Sequence, residues 1–218
     1  MAKEKMNVHR ALAELKTLDS RIQKAARSAT YCFANKHSNG KKDGITIDDY
    51  KNRMKSEFDS INTLINRRNA LKRAVAFSNS VTKVTIDGVE YTVAEAIEMK
   101  NHGMDNYRVL LTAITANLAA AKNTIQDQNG EYLEKKANDY IIGFFGGKDK
   151  ADSETATSMR KAYIEENTYD FIDPMNIEDF KKKLEDKIAS FEAEVDAALS
   201  VSNAITNIEF EYEIYNGK

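Results

Sequence analysis

A mainly α fold is what this sequence predicts: long antiparallel, coiled-coil-like helices with a small three-stranded antiparallel sheet, in a single domain over residues 1–218. Three observations predict it. Apolar residues recur at spacings of three and four through most of the chain. Around Asp87-Gly88 that pattern gives way to β-branched alternation, the mark of a hairpin. Near the C-terminus a second alternating stretch follows residues that echo the first. With 30% charged and 42% hydrophobic residues, one proline and nine glycines, the composition fits long helices and argues against disorder.

The first helix, about 5–34, is carried by Val8, Leu12, Leu15, Leu18, Ile22, Ala25 and Ala29. It should stop near Tyr31–Phe33, because Asn35 to Gly44 is polar and turn-rich. Thr46 and Asp49 form a capping signal for a second helix, about 47–78, whose stripe runs through Tyr50, Met54, Phe58, Ile61, Ile65, Leu71 and Val75. Arg68 sits where that stripe expects an apolar residue. Strands are expected at about 81–86 and 89–93, and Thr92 with Glu95 makes a second capping box. A third helix, about 93–145, should hesitate at Asn101 to Met104 and resume through Tyr107, Leu111, Ile114, Leu118, Ala121 and Ile125. Gly146 to Ser153 reads as a loop, 154–166 as a short helix, and Thr168 to Asn176 as irregular. Asn176 caps a last helix, about 177–201, with its seam at Ile177, Phe180, Leu184, Ile188, Phe191, Val195 and Leu199.

A final strand, about 205–212, completes the expected sheet. In S-N-S-V-T-K-V and S-N-A-I-T-N-I a helix stops at Ser-Asn, and apolar, Thr and β-branched residues follow. A lone hairpin is only marginally stable, so pairing of the last strand with it has a physical purpose. The echo reads first as a structural joint and second as a place for ligand contact.

The net charge of −2 conceals an asymmetry. Residues 1–76 hold 17 Lys/Arg against 8 Asp/Glu, and residues 77–218 hold 15 against 26. Such a split favours packing of one half on the other, within a chain or between subunits, over a basic nucleic-acid arm that lacks aromatic platforms. Cys32 is the only cysteine, which excludes an intramolecular disulfide and fits a reducing cytoplasm. It reads as a small buried residue at a helix end rather than a nucleophile. The start of the chain lacks a secretory apolar core, and no apolar run approaches a membrane span.

No catalytic constellation is visible. His9, His37 and His102 are scattered, without ligand spacing for a metal. G-F-F-G-G-K-D fails as a phosphate loop, because Ile142 stands where the first glycine belongs and Asp follows Lys148. The cluster worth weighing is N-R-R-N-A-L-K-R-A, Asn66 to Ala74. Arg67, Arg68, Asn69, Lys72 and Arg73 are candidate ligand contacts, joined by Asn79 and Tyr91 if the helix end faces them. Arg68 on a packed face needs an acceptor, either a carboxylate of a neighbouring helix or a bound anion.

The run I-N-R-R-N-A-L-K-R-A-V-A-F-S-N, the strand pair V-T-I-D-G-V-E-Y-T-V-A-E-A-I-E-M-K-N, and the ending F-E-A-E-V-D-A-A-L-S-V-S-N-A-I-T-N-I-E-F resemble septicolysin-like proteins, small helical proteins of bacteria and their phages. The resemblance implies a helical fold with a small sheet, often phage- or prophage-encoded, and no catalytic residues to carry over. Taken together, the expectation is a cytoplasmic, non-enzymatic, oligomeric binding protein without a cofactor, in the host cytoplasm if phage-encoded. It would sequester a ligand or host factor, with a nucleotide-derived immune signal (an anti-defence role) the sharpest form. The alternative is a virion structural, assembly or scaffold protein.

Overall fold

A computed structural model describes residues 1–150 and 153–215. The chain is mainly helical with small antiparallel strand pairs, and it divides into two compact units: residues 1–102 with 190–218, and residues 103–189.

The first unit opens with a strand, β1 (Ala2–Asn7), where the sequence reading began a helix. Alternating Lys and Glu conceal it, because they read as polar helix surface as readily as strand. Asn7 ends β1 and caps α1 (Val8–Ser28), its Oδ1 accepting from Arg10 N at 2.9 Å. α1 stops six residues earlier than expected. Ser28 Oγ donates to Lys24 O at 2.9 Å and Tyr31 OH to Ala26 O at 2.8 Å, so side chains satisfy the last carbonyls. Cys32 consequently lies beyond the helix and is exposed, not buried.

A two-residue hairpin follows, β2 (Lys41–Lys42) and β3 (Ile45–Thr46), turning at Asp43 and Gly44 with φ of 50° and 82°. Thr46 caps α2 (Ile47–Val81), and Asp48 and Asp49 lie in its positive first turn. α2 runs back along α1, so that Glu14 reaches Arg67 and Tyr31 meets Phe58. β4 (Lys83–Ile86) and β5 (Val89–Thr92) form the expected hairpin, with Asp87 and Gly88 at φ 51° and 71°. The predicted Thr92–Glu95 capping box opens α3 (Val93–Glu98). The expected hesitation falls on a π-helical turn, Met99–Gly103.

β6 (Asn207–Tyr212) does not join the hairpin. It pairs antiparallel with β1, from Asn7↔Asn207 to Ala2↔Tyr212, so the three-stranded sheet is replaced by separate two-stranded ribbons. The pairing matches chemistry on both faces. Outside, Lys5 bonds Glu209 at 3.3 Å, and Lys3 lies 3.6 Å and 3.7 Å from Glu209 and Glu211. Inside, Met6, Ile208 and Phe210 join Val8, Leu18, Leu71 and Val75 in one core. The six-residue β1 supplies more of both than the four-residue β4 could.

The echoed joints prove to be one structure made twice within this unit. Ser-Asn does not end the helices: α2 continues to Val81, and α7 (Ile177–Ile205) continues to Ile205. Ser78 O accepts from Thr82 N at 2.8 Å and Ser202 O from Thr206 N at 3.0 Å. Thr82 O then accepts from Val93 N at 2.8 Å, and Thr206 O from Val8 N at 2.9 Å. In each case the residue after Thr pairs with the cap of the next helix, Lys83 with Thr92 and Asn207 with Asn7. Burial repeats as well: Ser78 and Ser202, Leu71 and Val195, Val84 and Ile208, Ile86 and Phe210, Val8 and Val93, Ala11 and Ala96 are all buried. Small serines belong where a helix end, a strand and a helix start crowd together.

The second unit holds α4 (Met104–Gln128), α5 (Gly130–Phe145), α6 (Glu154–Asn167) and residues 177–189 of α7. The expected continuous helix to 145 breaks at Asn129-Gly130, where Gly130 has φ 57°. Asn129 fixes the break with two 2.9 Å bonds to Tyr169, donating to its carbonyl and accepting from its N–H. Asp173, not Asn176, caps α7: its Oδ2 accepts from Ile177 N at 2.7 Å, while Asn176 adopts φ 52°. In the expected loop 146–153, Ala151 and Asp152 lie outside the described residues, and Ser153 caps α6.

Phe210→Ala empties the centre of the β1–β6 core and is expected to cost about 3–5 kcal/mol, measured by urea unfolding. Asn7→Ala removes the α1 cap and its 3.2 Å bond to Ala204 O, and about 1–2 kcal/mol is expected from the same measurement.

Candidate functional site

The basic cluster occupies α2 where it passes over the β1–β6 ribbon. Neighbouring residues on a helix point about 100° apart, so Arg67 and Arg68 have different surroundings. Arg67 turns inward and is 19% exposed. Its Nε donates to Glu14 Oε1 at 2.6 Å and its Nη2 to Glu14 Oε2 at 3.2 Å. The same guanidinium donates to both oxygens of Glu4, with Nη2–Oε2 at 2.8 Å. Nη1 also donates to Tyr212 OH at 2.7 Å, and that hydroxyl donates to Glu4 Oε1 at 2.8 Å. The rings of Tyr212 and Phe210 lie 5.2 Å and 5.7 Å from the guanidinium carbon.

Two carboxylates and a phenol thus saturate Arg67, which leaves it no donor for a ligand. The sequence reading placed the inward arginine at position 68; it is Arg67 that faces the packed side. Arg68 lies at the rim, 36% exposed, with its Nε donating to Asp19 at 2.8 Å. The ordinary ion-pair reading of Arg68 therefore describes its present contact, and that contact is a surface one.

The electrostatics of the network follow from these bonds. The Arg67 hydrogen bond holds the Glu4 carboxyl below its ordinary value of 4.5, partly offset by burial. Burial, then the bond to Glu4, pushes the Tyr212 phenol above 10.0. The Glu14 and Glu4 carboxylates raise Arg67 further above its already high value.

Outside this network, Arg68, Asn69, Lys72 and Arg73 line one open pocket of about 690 Å³, together with Asn66 from α2 and Glu211, Tyr212 and Glu213 from β6 and the residues after it. Lys72 and Arg73 make no ion pair among the described residues. Four of the seven predicted site residues are brought together here. Arg67 sits beneath them in the network. Asn79 and Tyr91 do not line the pocket; Tyr91 packs edge-to-face on Phe191 at 5.9 Å. Sequence reasoning missed Asn66, Glu211, Tyr212 and Glu213. The only signal for the last three was their place on the echoed final strand, which was assigned to the wrong partner.

Among the described residues no group of three or more His, Cys, Asp or Glu is arranged to hold a metal ion, and no helix is long and apolar enough to cross a membrane. Comparisons of the chain with family models, with curated proteins and with solved structures find no match.

Arg67→Ala leaves Glu4 and Glu14 half-buried and unpaired, so a loss of about 2–4 kcal/mol is expected. Arg68→Ala removes a surface pair and is expected to cost about 0–1 kcal/mol, both read from chemical denaturation. Because the folded Glu4 value is depressed, its stabilisation is complete above 4.5 and is lost as pH falls through the lower folded value. Tyr212 is raised, so its contribution is complete below 10.0 and is lost as pH rises through the higher folded value. Stability measured against pH should fall on both flanks, and Glu4→Gln should flatten the acid one.

Proposed function

We propose that this protein is a non-enzymatic, stoichiometric binding protein that holds a nucleotide-like anion on the outer face of α2. The observation that carries this reading is the gathering of Arg68, Asn69, Lys72 and Arg73 with Glu211 and Glu213 around one pocket of 690 Å³. That volume suits a nucleotide-sized ligand. Lys72 and Arg73 suit phosphate oxygens, and Arg68 can exchange its solvent-exposed partner for one. The two carboxylates, which a plain anion site would avoid, suit a ligand that carries hydroxyl or amino donors beside its negative charge. Nucleotides and nucleotide-derived signals have both. In the sharpest form of the reading the protein is phage- or prophage-encoded, forms a discrete homo-oligomer, and sequesters such a signal in the host cytoplasm against a defence response.

A second reading, a virion or assembly component, draws on a different observation. Phe77, Val81, Val201 and Ile205, at equivalent places in the two joints, are between 55% and 72% exposed. Apolar side chains presented at such positions favour self-association.

Thermal shifts against nucleotides, cyclic nucleotides and ADP-ribose derivatives, with mass from light scattering, separate the two. At a hundredfold excess over Kd a true ligand adds about 2.7 kcal/mol, a rise of roughly 5–10 °C for a chain of this size. The sequestering reading expects one compound to give that shift on a discrete oligomer, and the double variant Lys72→Gln/Arg73→Gln to lose it with unfolding unchanged. A flat panel with mass that grows with concentration would replace it by the assembly reading.

A further inference from the structure

A second cavity lies within the 103–189 unit, between α5 and α6. It measures about 290 Å³ and is separate from the α2 pocket in every lining residue. Its apolar wall includes Ile141 and Ala156, both buried. Its polar lining is Asn138, Lys148, Thr157 and Arg160, and no carboxylate is among the lining residues.

One of these four groups has a buried donor without an acceptor, and two others make no side-chain polar contact among the described residues. Arg160 spends Nη2 on Glu134 Oε2, at 2.8 Å, but its Nε is buried with no hydrogen-bond partner. Lys148 has no ion pair among the described residues, and Asn138 has no side-chain bond among them. Thr157 holds only a long 3.3 Å bond to Ser153 O. A buried guanidinium N–H without an acceptor loses its hydration with nothing in return, so native structures rarely leave one. The buried group left unmet is a donor, Arg160 Nε, in a cavity with two positive charges.

We propose that this cavity binds a phosphate group, either free or carried on a small organic body as a phosphomonoester. A tetrahedral oxyanion offers acceptors in several directions at once, which matches an ammonium, a guanidinium edge, an amide and a hydroxyl arranged around one space. The volume exceeds a bare phosphate, and the Ile141 and Ala156 wall suits a short apolar body behind it. The glycines of G-F-F-G-G-K act differently here from those of a phosphate loop. Gly146, at φ 73°, ends α5 in the left-handed conformation, and Gly147 N closes on Ile142 O at 3.1 Å. The turn delivers the Lys148 side chain to the cavity and does not wrap phosphate in backbone. This inference does not rest on the reading of the α2 pocket.

The test is a titration of the full chain with inorganic phosphate and with phenyl phosphate, each against chloride at equal ionic strength, followed by the NMR signal of the Arg160 Nε–H. That signal is assigned by its absence in Arg160→Lys. A saturable movement with either compound is expected, and the tighter of the two identifies the free or esterified source. Lys148→Gln, which breaks no ion pair or side-chain hydrogen bond among the described residues, should weaken binding by roughly tenfold or more, while Lys72→Gln should leave it unchanged. A response that follows ionic strength alike for chloride would overturn the proposal, as would Lys148→Gln binding as tightly as the parent. Loss of the response in Lys72→Gln alone would also overturn it, by placing the anion on α2.

Discussion

Arg67 is the residue on which the first unit depends. One guanidinium on α2 joins a carboxylate from β1, a carboxylate from α1 and a phenol from β6, so four elements from both ends of the sequence converge on it. Only the five-donor fork of an arginine can hold both carboxylates bidentately and still donate to the phenol. Glu4 and Tyr212 are on the inner face of their ribbon because of the strand register, which sets Glu4 opposite Phe210 and Ala2 opposite Tyr212. A one-residue slip of either strand would turn its own partner of Arg67 outward and leave donors of the guanidinium unmet. The network therefore does not merely strengthen the β1–β6 pairing. It selects the register.

That pairing closes the chain on itself. Two ribbons have the same construction: a helix runs through Ser-Asn and ends two residues later, the Thr that follows offers its carbonyl to the first N–H of another helix, and a strand pair carries the chain away. In one ribbon a two-residue turn, Asp87-Gly88, joins the strands. In the other the strands are separated by nearly the whole sequence, so no turn sets their register and side chains must do so. The difference in sequence separation explains the difference in chemistry. The hairpin holds its register by its turn, with Asp87 N bonded to Glu194 at 2.7 Å as a further tether. The ribbon of the chain ends instead has opposite charges facing each other outside and the arginine network inside.

The same helix presents two surfaces with separate tasks. Its inner face, with Arg67, Leu71 and Val75, is committed to the core. Its outer face, with Arg68, Lys72 and Arg73, keeps charge that no neighbour neutralises in full. Glu211 of β6 and Glu213 just after it line the same pocket, which therefore has mixed charge in place of a plain ion-pair network.

Local chemistry made much of this legible in the sequence. Helical periodicity marked α2, α6 and α7, Asp-Gly and Thr-x-x-Glu marked the β4–β5 hairpin and the start of α3, and the repeated Ser-Asn marked a joint. Those signals act within a few residues, where covalent geometry and backbone hydrogen bonds decide the outcome. The gathering of Arg68, Asn69, Lys72 and Arg73 was legible for the same reason, since one helical surface holds all four. Three things were decided only by the tertiary structure: the strand at Ala2–Asn7, its partnership with β6, and the exchange of roles between Arg67 and Arg68. Each turns on contacts between residues some fifty to two hundred positions apart. A strand of alternating Lys and Glu has no apolar face of its own to announce it, and an arginine shows which way it points only when the carboxylates it must satisfy are in place.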